Sequence, residues 1–327
     1  MRPRFVIRIS RALVPRGARR HEHGRPGRGA ALPARVRPWC PWRPWPPWFG
    51  YLRNLLNPVN PLNQDRAVSH PRPLLSRPQV FAHRGGSALR PENTIVAFDY
   101  GLALGADGLE FDVRLSRDGV VVVHHDAALD RTTNGRGPLA SFTADELARL
   151  DAGWNFPDFR GAAGGVPALR DVLRRYSSAA LIIELKANMP ELAHRTIDEI
   201  RAAGAVDRVS LGSFGTRVLR AARAYEPRIR TGSSQEETRL ALYRSWVRWP
   251  VRHPRYQEFQ VPEWAGSTRV VSPRFVRYAH EAGCPVKVWT VDDESDMRRL
   301  ISWGVDAIIS DRPDVAVRVV RTFGSTT

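Results

Sequence analysis

From Gln79 onward, short apolar runs alternate with longer stretches whose apolar residues recur at helical spacing. QVFAH (79–83), β-branched and aromatic, predicts a strand ending at His83. In ENTIVAFDYGLALG, Ile95, Phe98 and Leu102 keep helical spacing, and Gly105 stops the run. GLEFDVRL alternates apolar with acidic positions, and Asp118-Gly119 then supplies a hairpin-type turn into VVVVHH. The stretch 126–168 is less regular and rich in Gly and Thr. Beyond it ALIIELK, RVSLGSF, IRTGSS, EFQV, PVKVWTV and DAIIS read as strands. PELAHRTIDEIRAAG, TRVLRAARAY, ETRLALYRSWV, PRFVRYAHEAG and SDMRRLISWG read as the helices between them.

Repeated β/α units with right-handed crossovers give a parallel sheet with helices outside. At this rhythm about 240 residues match an α/β chain closed into a (β/α)8 TIM-type barrel. That barrel is expected over residues 79–320, with a small insertion at about 126–168. Nine strand candidates compete for eight places. The two flanking Asp118-Gly119 cannot both be parallel neighbours across so short a turn. One is therefore an antiparallel extra, or a later strand is misread. A doubly wound open sheet competes, but no Gly-rich phosphate loop leads the first strand into its helix.

Charge changes the picture of residues 1–78. The chain of 327 residues carries a net +17, but this leader holds sixteen Arg against Glu22 and Asp65, and only +3 is left for the rest. The basicity belongs to the leader, so no nucleic-acid binding is expected of the folded part. Rich in Arg, Pro and Trp, the leader cannot bury enough apolar surface to offset its ordering entropy and is expected to be disordered. Its Trp39, Trp42, Trp45 and Trp48 among prolines and arginines suit peripheral contact with an anionic membrane surface. A solvated tail, or upstream sequence from a misassigned start, is the plainer alternative. Arg8 and Arg11 interrupt any secretory core, and no apolar run is long enough to span a bilayer, so a cytoplasmic or membrane-peripheral protein is expected. Cys40 and Cys284 make neither a disulfide framework nor a metal cluster. Lys186 and Lys287 are the only lysines beside 48 arginines, which makes each informative.

The candidate chemistry falls where strands end: His83 and Arg84, Glu110 and Asp112, His125 and Asp126, Glu184 and Lys186. In a closed barrel that is the face where active sites assemble. Glu110 and Asp112 are two apart on a strand and share a face, and Glu184 adds a third carboxylate. Oxygen-only ligation favours a hard divalent ion, Mg²⁺ or Ca²⁺, over zinc. Such an ion suits an in-line displacement at a phosphoryl group. His83 and His125 titrate near neutral pH and suit acid and base roles. Arg84 and Lys186 suit the non-bridging phosphate oxygens.

At these residues the sequence closely resembles the glycerophosphodiester phosphodiesterase family. The matching pieces are HRGG (83–86) with PENT (91–94), LEFDVRLSRDG (109–119), VVVHHDAALDRTTNGRG (121–137), IIELK (182–186), SF (213–214), VWTVDD (288–293) and SDRPD (310–314). The HRG–PENT and E-x-D–HD–LDRTT combination is highly specific, whereas SF or a lone DRP is weak. The resemblance implies a TIM-type barrel that hydrolyses a glycerophosphodiester to sn-glycerol 3-phosphate and an alcohol. Carried over by motif, His83 and His125 are the acid/base pair, Glu110, Asp112 and Glu184 the metal ligands, and Arg84 and Lys186 the phosphate contacts. Trp289 helps wall the substrate pocket, and segment 126–168 is the insertion that shapes it. Alternation sets His124 and His125 on opposite faces; the motif selects His125, and His124 turns toward packing or solvent.

Taken singly, a histidine at a strand end is more often a structural group than a catalyst. Two of them with the E-x-D pair reverse that balance. Glu92 and Asn93 either support the site or cap the first helix, and Asp126 either orients neighbouring groups or shapes its loop. Asp292 and Asp293 are read as starting a helix, and His194, His253 and His280 as surface residues. Two alternatives accompany the hydrolase. One is the same chemistry on lysophospholipids, in the manner of a lysophospholipase D. The other is a non-catalytic membrane or nucleic-acid binding protein, which the intact acids and histidines oppose.

Overall fold

The computed structural model describes residues 77–249 and 254–323. Residues 1–76 of the leader, with the expectations that fall on them, and His253 lie outside the described residues.

Among the described residues the strands are β1 (Gln79–His83), β2 (Gly108–Leu115), β3 (Val121–Val123), β4 (Ala180–Leu185), β5 (Val209–Gly212), β6 (Arg230–Thr231), β7 (Phe259–Pro262), β8 (Trp264–Ala265), β9 (Thr268–Arg269), β10 (Val286–Trp289) and β11 (Ala307–Ser310). Eight of them run parallel in the order β6-β5-β4-β2-β1-β11-β10-β7. The ring closes just past β6, where Gly232 bridges Glu258 in parallel. There the Gln257 N–H donates to Thr231 O at 2.9 Å and the Ser233 N–H to Glu258 O at 3.0 Å. This is the expected (β/α)8 barrel. The surplus strand is β3, which pairs antiparallel with β2 through Val113 and Val123. The β8–β9 hairpin, which periodicity did not predict, stands apart from the ring.

Among the described residues the helices are α1 (Ile95–Ala103), α2 (Ala144–Ala148), α3 (Leu169–Arg175), α4 (Pro190–Ala202), α5 (Thr216–Tyr225), α6 (Gln235–Val247), α7 (Pro273–Glu281), α8 (Glu294–Ser302) and α9 (Pro313–Phe323). Several of their starts follow capping chemistry. Thr94 Oγ1 accepts from the Ala97 N–H, Ser234 forms a capping box with Glu237, and Asp293 accepts from the Ser295 and Asp296 N–H groups.

Strand alternation sorts the core into layers. Leu109, Phe111 and Val113 of β2, with Leu181, Ile183 and Leu185 of β4, pack outward with Leu192, Ile197 and Ile200 of α4. The intervening positions point into the barrel, where Phe81, Ile182, Ala307 and Ile309 cluster. Glu110, Asp112 and Glu184 occupy the same inward alternation toward the strand ends. Segment 126–168 keeps its own small core of Leu129, Leu139, Leu147 and Val166 against Val122 of β3.

Candidate active site

β1 delivers His83 to the mouth, and the chain then turns sharply through Arg84, Gly85 and Gly86, all at positive φ. A side chain on Gly85 (φ +87°) would put its Cβ 2.7 Å from the Ala97 backbone, so this glycine lets the turn press against α1. In register, His83 lies beside Glu110 and Asp112 beside Glu184. Sheet pairing alone therefore gathers an imidazole and three carboxylates.

The His83 Nδ1 lies 2.5 Å from Asp311 Oδ1 and its Nε2 3.7 Å from Glu110 Oε2. Burial disfavours the charged ring, but Asp311 and Glu110 outweigh it and raise the pKa to about 9. Burial, helped by Asp112 and Glu184 and opposed by His83, pushes Glu110 up to about 7. Asp112 is buried too, yet Lys186, Arg84 and His125 keep it well below the usual carboxylate range. The Arg84 backbone N–H donates to Glu110 Oε2 at 3.3 Å and its Nη1 to Glu92 Oε1 at 2.9 Å. Its Nε lies 3.2 Å from Asp112 Oδ2. The Lys186 ammonium stands 3.3 Å from Asp112 Oδ1 and 3.1 Å from Glu184 Oε1.

The acids fit a hard divalent cation. Glu110, Asp112 and Glu184 each offer an oxygen within 4.8 Å of the others. Asp112 Oδ1 and Glu184 Oε1 are buried without a hydrogen-bond partner, because Lys186 approaches them off the hydrogen-bonding direction. Buried oxygens of this kind require a counter-charge.

His125 follows β3, and its Nδ1 lies 2.6 Å from Asp126 Oδ1. Asp126 thus orients the ring, one of the two options left open for it. His124 is buried, with its Nε2 3.3 Å from Ala128 O, so it packs rather than facing solvent. Trp289, at the end of β10, is half-buried and meets Phe214 edge to face at 5.7 Å. Asn93 and Glu92 are support, not caps. The Asn93 Nδ2 donates to Asp112 Oδ2 at 2.9 Å, and Thr94 is the cap of α1.

Two readings change, and one residue enters that had none. Asp292 does not start α8; it accepts from Ser310 Oγ at 2.9 Å and from the Asp311 N–H at 2.8 Å, and so braces the residue that holds His83. His280 is not a surface residue but reaches the buried Asp306 Oδ2 at 2.8 Å. Asp311 had no assigned role. Its signal was the strand-end rule that found the other acids, since it directly follows DAIIS.

A sequence model described as the Glycerophosphoryl diester phosphodiesterase family matches residues 83–315. A glycerophosphodiester phosphodiesterase of Caldanaerobacter subterraneus subsp. tengcongensis is 34% identical over 252 residues, covering 75% of this chain and 98% of the relative. The crystal structure of a glycerophosphodiester phosphodiesterase from Agrobacterium tumefaciens superposes with a TM-score of 0.61 at 29% identity, over 74% of this chain and 99% of that one. An Oleispira antarctica phosphodiesterase, solved in complex with the product sn-glycerol-3-phosphate, gives 0.62 at 27% identity, over 75% and 97%. The match takes in every strand end that carries an ionisable group, and the relatives are covered almost end to end. On both grounds the chain belongs to the glycerophosphoryl diester phosphodiesterase family.

Proposed function

We propose that the barrel mouth hydrolyses a glycerophosphodiester to sn-glycerol 3-phosphate and an alcohol, with one divalent cation, Mg²⁺ or Ca²⁺, held by Glu110, Asp112 and Glu184. The observation that carries this is the meeting of three inward carboxylates, two of their buried oxygens lacking hydrogen bonds, with His83 and two fixed cations. When bound, the cation supplies positive charge to a phosphoryl oxygen. Arg84 and Lys186 hold the remaining non-bridging oxygens and place the phosphorus for in-line attack. Asp311 engages His83 Nδ1 and Asp126 engages His125 Nδ1, which leaves each Nε2 to exchange protons. One ring takes the proton of the attacking nucleophile, either water or a glycerol hydroxyl whose cyclic phosphate water then opens, and the other returns one to the departing alkoxide, each step contributing on the order of 10²–10⁴ in rate. Trp289, packed edge to face on Phe214, walls the substrate pocket. The product-bound Oleispira relative supports sn-glycerol 3-phosphate as the product here.

The test follows glycerol 3-phosphate release from glycerophosphocholine with and without EDTA. Turnover is expected to need the cation, and His83→Ala is expected to lower kcat by roughly 10²–10⁴. Metal-independent turnover, or undiminished activity in His83→Ala, rejects the site. A cytoplasmic setting with peripheral membrane contact through residues 1–78 belongs to the same proposal. Among the described residues no helix is long and apolar enough to cross a membrane. Vesicle binding that is equal with and without the leader removes the membrane part.

A further inference from the structure

We infer that Arg131 is a positioning residue that ties the His125 imidazole to the Arg84 guanidinium across the barrel mouth. The inference rests on the hydrolase reading above and adds how the two halves of that site are held in register. Asp126 uses one oxygen for His125 Nδ1, at 2.6 Å, and turns the other to Arg131 Nε, at 2.5 Å. The two terminal nitrogens of Arg131 fork onto Glu92, at 2.7 Å to Oε2 and 2.8 Å to Oε1. Glu92 Oε1 also accepts from Arg84 Nη1 at 2.9 Å, and Arg84 Nε lies 3.2 Å from Asp112. Charges of alternating sign thus run unbroken from an acid/base histidine to a metal-site carboxylate.

The hydrogen-bonded joins from His125 to Arg84 constrain direction as well as distance, and Arg84 Nε meets Asp112 at ion-pair distance only. A guanidinium presents Nε and its terminal nitrogens in one rigid plane, so a single side chain fixes Asp126 and Glu92 relative to each other. Lysine has the charge and lacks the fork. The Arg131 side chain is 45% exposed, where an ion pair contributes little stability. The consequence of the contact is geometric. Arg131 comes from segment 126–168 and Glu92 from the loop before α1, 39 positions away. The insertion therefore does more than roof the mouth: through one residue it sets the angle of a catalytic ring. Although burial opposes ionisation, Arg131 and Arg84 hold Glu92 below the usual carboxylate range, which keeps both joins charged.

The experiment uses the full chain with saturating Mg²⁺ and compares Arg131→Gln, Arg131→Lys, Asp126→Asn, Glu92→Gln and the doubles with Arg131→Gln. Misplacing a catalytic group by about 1 Å costs up to roughly a hundredfold, so kcat on glycerophosphocholine is expected to fall ten- to hundredfold in Arg131→Gln. Arg131→Lys should keep the melting temperature without recovering kcat. The Asp126→Asn/Arg131→Gln double should turn over within about threefold of Asp126→Asn alone, because residues in one network are not additive. Calorimetry with sn-glycerol 3-phosphate should show weaker binding in Arg131→Gln, with little further loss when Glu92→Gln is added. A kcat within twofold of wild type in Arg131→Gln, full recovery in Arg131→Lys, or losses that multiply in the doubles would overturn the assignment. Wild-type protein without turnover rejects the hydrolase reading instead, and the product-binding cycle then decides the role of Arg131 without it.

Discussion

The Asn93 carboxamide grips Asp112 from two sides: its Nδ2 donates to Asp112 Oδ2 at 2.9 Å, and its Oδ1 accepts the Asp112 N–H at 3.3 Å. It does so from a left-handed backbone (φ 60°), which asparagine tolerates better than most residues. The cost of that conformation is local, and the benefit is a carboxylate that cannot rotate away from its partners. Replacing such supporting groups typically weakens metal binding ten- to hundredfold. Asn93→Gly keeps the backbone conformation and removes both hydrogen bonds, so its Mg²⁺ affinity by calorimetry is expected to fall within about that range. Unchanged affinity would mean that Asp112 is held by Arg84 and Lys186 alone.

At the scale of elements, the entry to β7 and β10 itself carry a second charged group inside the barrel, clear of the reaction. Lys287 Nζ lies 2.9 Å from Glu258 Oε2, and Glu258 Oε1 accepts from Ser210 Oγ at 2.8 Å and from Gln260 Nε2 at 2.6 Å. Both ions are buried, so removing one leaves the other uncompensated, at about 3–5 kcal/mol. Chemical denaturation of Lys287→Met is expected to show a loss of that order, and an unchanged midpoint would refute it. Burial opposes ionisation of Glu258, but Lys287, Gln260 and Ser210 hold its pKa below the ordinary carboxylate value. Its stabilisation is therefore complete above the unfolded pKa of about 4.3 and fades as pH falls through the lower folded value. Glu258→Gln should flatten that acid limb in melts recorded from pH 6 downward. Scarcity had marked both lysines as informative; Lys186 stands among the acids at the barrel mouth, whereas Lys287 neutralises a buried carboxylate away from it.

At the scale of the molecule, the acid cluster makes a local site a property of the whole fold. Its members come from β2 and β4, which meet only once those two strands pair, so a cation held by them would bind the folded chain and stabilise it by linkage. At a hundred times the dissociation constant this is about 2.7 kcal/mol. Mg²⁺ or Ca²⁺ added to EDTA-treated protein should therefore raise the melting temperature by several degrees. The rise should vanish in Asp112→Asn, and its survival there would move the ion elsewhere. Much of this architecture was legible beforehand, because strands of period two and helices of period 3.6 write their buried faces directly into the order of residues. The alternation in GLEFDVRL was enough to put Glu110 and Asp112 on one side. His83, Glu184 and Lys186 were legible for a second local reason, that they interrupt apolar runs. The short Asp118-Gly119 turn showed that β2 and β3 could not both be barrel strands, but nothing local said which was the extra, since VVVV suits either role; the parallel pairing of β2 with β1 and β4 decides. The partner of His83 was also beyond reach: Asp311 is 228 positions away, and ring closure brings β11 beside β1. Sequence alone determined which residues could do chemistry and which way each strand would turn them. Tertiary structure decided which of them touch, because strand register and the closing of the barrel are set by packing across the whole chain.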